Sequence, residues 1–163
     1  MNEIKEKSRY ETLWTIRKYA NDADYAAGLP FETAPIKGNL MLNEGIGEHI
    51  DLMCGIGGTA FSNANAYIGV GDSATAEGAT QTALQATTNK LYKAMASGYP
   101  QRSAQTVTFR SVYGSSDANF AWNEFTVANG NSDSAKNLNR KVSSQGTKAS
   151  GQTWTVDLSI TFS

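Results

Sequence analysis

Trp154-Thr155-Val156-Asp157-Leu158-Ser159-Ile160-Thr161-Phe162 is the stretch that decides the fold of this chain. Trp154, Val156, Leu158, Ile160 and Phe162 are apolar, and every residue between them is Thr, Asp or Ser. That side-chain period is two, the period of a strand whose successive residues point to opposite faces. Consecutive inward apolar positions predict a closing strand that lays one face on a core and turns the other to a polar layer. Upstream, Thr106-Val107-Thr108-Phe109-Arg110-Ser111-Val112-Tyr113 alternates in the same way, with Val107, Phe109 and Tyr113 inward. The aromatic stretch Phe120 to Val127 ends at Asn129-Gly130, a dipeptide that suits a tight turn. Leu138 to Ser143 reads as a short polar strand; Ala66 to Val70, running into Gly71, and Lys90 to Met95, ending at Ser97-Gly98-Tyr99-Pro100, read as two further strands. Between them, Ala74 to Thr88 is rich in Ala, Thr and Gln and reads as a loop with one helical turn around Gln81–Leu84.

One segment changes period. Leu42, Ile46, Ile50 and Met53 recur at helical spacing between Asn39 and Cys54, which predicts one α-helix near 39–54. Asn39 is placed to cap its first turn, and Gly55 to stop it in a left-handed conformation. Gly45 and Gly47 each cost such a helix about 1 kcal/mol relative to alanine, so packing must hold it. Six or seven strands, one helix and no crossover helices predict a mainly β fold, an antiparallel β-sandwich of jelly-roll-like type. The domain boundary is set at residues 1–37 for an extended N-terminal arm and 38–163 for a single sandwich.

The arm reading rests on residues 12–19, Thr-Leu-Trp-Thr-Ile-Arg-Lys-Tyr, with apolar groups on both faces, followed by a stretch carrying Gly28, Pro30 and Pro35. Apolar residues on a poorly patterned arm suit a partner surface as readily as a core. Leu13, Trp14, Ile16, Tyr19, Tyr25, Phe31 and, on the sandwich, Trp122 are therefore the candidate shell or subunit interface. On this reading the first 35 residues are removable without loss of the fold.

The rest of the composition removes functions. The 163 residues carry 14 Lys and Arg against 15 Asp and Glu, a balance that excludes a generally basic nucleic-acid binder. No apolar run approaches the length of a membrane span, and the charged start lacks the apolar core of a signal peptide. A single cysteine, Cys54, excludes an internal disulfide and reads as a small packed residue; the single histidine, His49, reads as an interface or hydrogen-bonded residue. Gly69-Val70-Gly71-Asp72-Ser73 lacks the lysine of a phosphate loop and the partner base of a nucleophile, so it is a strand-end turn. Glu44, Glu48 and Asp51 share a helix face, expected to be solvated or ion-paired, and Asn129–Asp133 lacks the ligand spacing of a calcium loop. The aromatics from Tyr92 to Trp154 alternate within strands and are assigned to the core. No catalytic, cofactor-binding or metal-ligating residue is nominated, and no enzyme is expected.

From Gly38 to Ser163 the chain resembles a family of bacteriophage virion accessory proteins, variously capsid decoration (cement) or tail-fibre and collar proteins. The residues that carry the resemblance are Asn39-Leu40-Met41-Leu42-Asn43-Glu44-Gly45-Ile46, Tyr67-Ile68-Gly69-Val70-Gly71-Asp72-Ser73, Gln81-Thr82-Ala83-Leu84, Phe120-Ala121-Trp122-Asn123-Glu124-Phe125-Thr126-Val127 and Leu138-Asn139-Arg140-Lys141-Val142. Tail-fibre members run on into a repetitive shaft, whereas this chain ends with its closing strand, so the resemblance leans towards decoration. It implies a non-enzymatic virion protein, assembled in the host bacterial cytoplasm, that binds the major capsid protein lattice as a homo-oligomer, a trimer by analogy. The alternative is a tail-associated protein at a collar, fibre or baseplate that contacts the host surface. Neither nucleic acid, membrane nor cofactor is an expected partner.

Overall fold

The computed structural model describes residues 9–163. In chain order the elements are β1 (Tyr10–Tyr19), α1 (Asp22–Ala27), β2 (Glu32–Lys37), β3 (Leu40–Met41), α2 (Asn43–Cys54), β4 (Tyr67–Gly71), β5 (Lys90–Ala94), β6 (Gln101–Ser103), β7 (Thr106–Tyr113), β8 (Glu124–Ala128), β9 (Asn139–Val142) and β10 (Thr153–Phe162). The strands form two antiparallel five-stranded sheets, β2-β1-β10-β7-β6 and β3-β9-β8-β4-β5. The fold is a mainly β sandwich with one main helix, as the alternation of the closing strand predicts.

Register explains the core. In the first sheet Ile36, Trp14, Leu158 and Phe109 form one cross-strand row, and Ala34, Ile16, Val156 and Ser111 the next. From the second sheet, Ile68 opposite Val127 and Val70 opposite Phe125 meet these rows in a single buried cluster. Trp122, on the approach to β8, sits at its centre. Its ring packs edge-on to Tyr113 and Trp154 at 4.8 Å each, and its Nε1–H donates to the Ala118 carbonyl at 2.9 Å. Buried aromatic pairs of this kind add about 0.5–1.5 kcal/mol each beyond the area they cover.

Residues 10–37 correct the arm and its domain boundary. Beyond residues 1–8, which lie outside the described part, this segment is not an arm but β1, α1 and β2. β1 lies inside the first sheet, paired with β10 over its whole length and with β2 on its other side. Trp14 and Ile16 are fully buried, because the inward face of β1 continues the rows of β10. Lys18, next on the same face of β1, opposes Trp154; its ammonium lies 4.7 Å over that ring and donates to Glu32 and the Gln145 carbonyl. Removing residues 1–35 would strip β10 of β1, one of its two neighbours, so the segment is not dispensable.

The helix also differs from its expectation. Chain from Asn39 first pairs as β3 with β9, and α2 begins at Asn43 after Leu42, with no side-chain cap. Its end is as expected: Gly55 is left-handed at φ 67° and closes on the carbonyls of Asp51 and Leu52. The face turned inward is glycine and carboxylate, since Gly45 and Glu48 are the buried residues of α2. A Cβ at Gly45 would meet the carbonyl oxygen of Leu138 and lie 2.5 Å from its Cα, so helix and chain touch backbone to backbone. Around Gly47 there is open space. Gly45→Ala should therefore destabilise the protein by about 1–3 kcal/mol through overpacking. Gly47→Ala should stabilise it by about 0.4–1 kcal/mol through helix propensity and the unfolded chain. Urea unfolding of the two variants, each larger than the parent by the same single methyl group, checks both signs.

Candidate functional site

The inverted face of α2 leaves an apolar surface open to solvent. Glu44 accepts the Asn137 N–H at 2.6 Å, and Glu48 accepts the Thr59 N–H and, at 2.8 Å, the Asn129 side chain. These acceptors satisfy backbone donors that no strand supplies with a partner, and they fix which way the helix rolls. The apolar stripe then faces outward: Leu42 is buried, but Ile46 and Ile50 are exposed, and Met53 and the following Ile56 are each 73% exposed. Beneath them the open end of the sandwich forms a groove of about 750 Å³, floored by Phe109, Leu138 and Ile160 and walled by Ile46, Ile50 and Phe162. His49 stacks on Phe162 along one wall, with ring centroids 6.4 Å apart and planes 14° from parallel. A polar cleft of about 740 Å³ adjoins it across Tyr10 and is lined by Arg9, Glu11, Lys37 and Asn39.

The interface residues expected from sequence separate into two groups. Trp14, Ile16, Tyr19 and Trp122 are buried within the chain and are corrected to core. Leu13, Tyr25 and Phe31 are exposed. Tyr25 and Phe31 lie together beyond the Tyr19 end of β1, where the Tyr25 ring packs edge-on to Tyr19 at 5.3 Å, and Leu29 between them is 66% exposed. Sequence reasoning missed Leu29, Ile46, Ile50, Met53 and Ile56. The stripe at 42–53 was the available signal, but periodicity shows that a helix has an apolar side and not what that side faces.

The carboxylates are occupied with structure. Glu124 and Arg140 are both fully buried and paired at 2.7 Å, and the same carboxylate accepts the N–H groups of Gln85 and Ala86. Glu44 and Glu48, expected on a solvated face, point inward as described. Asp72 accepts from Asn89 at 2.8 Å, and Asp133 from Lys90 and Tyr92. Burial, then Asp133, pushes the Tyr92 phenol up. For Asp117 burial acts to raise the carboxyl, but Lys93 at 2.6 Å, the Gly114 N–H and nearby Lys148 outweigh it and hold the group below its usual range. Burial lowers the Lys148 ammonium, which donates to the Gly114 carbonyl and to Asn119. Cys54, expected to pack, is exposed at the end of α2. Among the described residues no three His, Cys, Asp or Glu side chains gather as metal ligands. What the arrangement can do is bind: one apolar groove, one polar cleft, and a separate apolar projection.

No protein-family model, curated protein or solved structure matches the chain.

Two measurements check the polar framework. Arg140→Met leaves the Glu124 carboxylate buried without its cation and should cost about 3–5 kcal/mol in urea unfolding. A loss below about 1 kcal/mol would mean that the backbone donors alone hold that charge. For Asp117, a carboxyl depressed in the folded state contributes its full stabilisation above the ordinary carboxylate range and loses it as pH falls through the folded value. Asp117→Asn should cost about 0.5–1 kcal/mol at neutral pH, a partly exposed pair being screened. The difference from the parent should vanish in strong acid, as read from urea midpoints across a pH series.

Proposed function

We propose that this chain is a non-enzymatic structural protein of a bacteriophage virion, a capsid decoration protein that binds the assembled shell and stabilises it. The observation that carries the reading is the α2 groove, an open apolar surface walled by exposed Ile46 and Ile50, with Met53 and Ile56 exposed farther along the chain. Apolar surface of this kind on a polar protein marks a place where another protein docks. The residues of the phage resemblance fall on β3 and the start of α2, on β4, on β8 and on β9. Gln81–Leu84, also among them, lies in the loop between β4 and β5, so the residues of the resemblance are spread over the second sheet, its helix and that loop. A body that binds only the assembled shell stabilises it by mass action, and many copies on a repeating lattice multiply a weak contact.

The test is stoichiometry. Purified protein added to particles that lack it should sediment with them, at a copy number of the same order as the major shell protein, and should raise the temperature at which the particles release their genome. A few copies per particle would instead mark a tail position and lead to host-surface binding assays. Absence from the particle fraction would remove both virion readings.

A further inference from the structure

The molecule carries two apolar surfaces of opposite shape at opposite ends of one strand. At the Tyr10 end lies the concave groove, lined by Tyr10, Ile46, Ile50 and Phe162. At the Tyr19 end, Leu29 and Phe31 project, with 66% and 56% of their surface exposed. Ten residues of extended chain separate the ends by about 30 Å, so the two surfaces cannot meet within one chain.

The projection is rigid. α1 starts at Asn21, whose side chain accepts the Asp24 N–H, and stops at Gly28, left-handed at φ 69°. The Gly28 N–H then bonds the Tyr25 carbonyl at 3.0 Å and the Leu29 N–H bonds the Asp24 carbonyl at 2.9 Å, the paired bonds of a Schellman stop. In that motif the residue after the glycine ordinarily folds back on its own helix; here Leu29 stays in solvent, and α1 buries none of its residues. Phe31 is pinned by its own N–H to the Lys18 carbonyl at 2.9 Å. Two large apolar side chains carried on backbone fixed by these bonds need no main-chain ordering to make a contact, which lowers its cost. Charge agrees: the projection carries Asp22 and Asp24 and no basic residue on α1, while the cleft beside the groove carries Arg9 and Lys37 against Glu11.

We propose that Leu29 and Phe31 of one copy seat in the α2 groove of a second copy, a head-to-tail contact between identical chains. A two-fold contact through α2 alone would cover the groove and leave the projection bare, whereas head-to-tail contact covers both. Repeated, it closes into a ring where the rotation permits. The inference deepens the decoration reading by naming the groove's partner, but it concerns the protein in solution and needs no particle.

The experiment is sedimentation equilibrium of the full chain over a wide concentration range, with Phe31→Asp and Ile50→Asp made separately. Both side chains are exposed, so each variant keeps the fold, checked by circular dichroism; Leu29→Asp replaces the first if it does not. The parent should self-associate, and each variant should weaken that association about 30-fold or more. Mixed in equal amounts, the two variants should form a complex of two chains and no larger, since one retains a sound groove and the other a sound projection. A parent that stays monomeric throughout overturns the proposal. So does self-association lost with Ile50→Asp but kept with Phe31→Asp and Leu29→Asp, which would identify a two-fold α2 contact. Self-association without particle binding would overturn the virion reading alone; particle binding by a monomer would overturn this one alone.

Discussion

The buried ion pair of Glu124 with Arg140 is the constraint on which the second half of the structure hangs. Neither side chain touches solvent, and removing two charges from water costs several kcal/mol per ion unless nearly every lone pair and proton finds a partner. The chain supplies those partners from a distance. Arg140 Nη1 donates to the carbonyls of Thr75 and Ala76 and to the Gln81 side chain, while Glu124 receives the amides of Gln85 and Ala86. The loop between β4 and β5 is thereby tied flat over the outer face of the second sheet, with no regular structure of its own. Gly71 is obligatory in this arrangement, since a Cβ there would run into the Glu124 carboxylate.

Consequences reach the groove. Beside the pair, Thr126 donates to the Asn139 carbonyl at 2.6 Å, and Asn137 holds both Thr126 and the Thr82 carbonyl. This network sets the path of residues 137–138, the chain on which α2 rests through Gly45 and to whose N–H group Glu44 accepts. A helix seated on backbone must offer it a glycine and acceptors, so its aliphatic stripe is turned outward. The apolar groove is therefore the far end of a polar argument that starts at Glu124.

How legible this was in the sequence follows from what periodicity encodes. The closing strand was readable because one partner, the core, lies on its apolar side, and Trp154 to Ile160 record that side without ambiguity. β1 was harder: Tyr19 on the second face answers to Tyr25 in α1, a local contact that alternation cannot distinguish from an external one. Lys18 in the inward row further masked the pattern, its charge being absorbed by Glu32, a carbonyl and the face of Trp154. For α2 the stripe was visible and its direction was not, because the inward face is chosen by unpaired backbone groups elsewhere in the chain. The interface aromatics followed the same logic, with Trp14 and Trp122 absorbed by the core and Tyr25 and Phe31 left exposed.

Both faces of the first sheet are closed as firmly as the second. On its outer side Asp157 takes bonds from Arg17 and from both arms of Arg110, and hydroxyl pairs join Thr108 to Ser159 and Thr106 to Thr161. Such a face offers a partner little that is not already bonded, and displacing those bonds would cost what docking gains. The apolar surface left over lies at the two ends of the strands, where ladders stop and a sandwich has no second layer to cover it. A flexible arm would have to lose conformational entropy each time it attached. End surfaces carried on a folded body lose little, so even a small contact area is effective when it repeats. On the head-to-tail contact proposed above, the demand therefore falls on the geometry of the two ends and on the stiffness of the body between them.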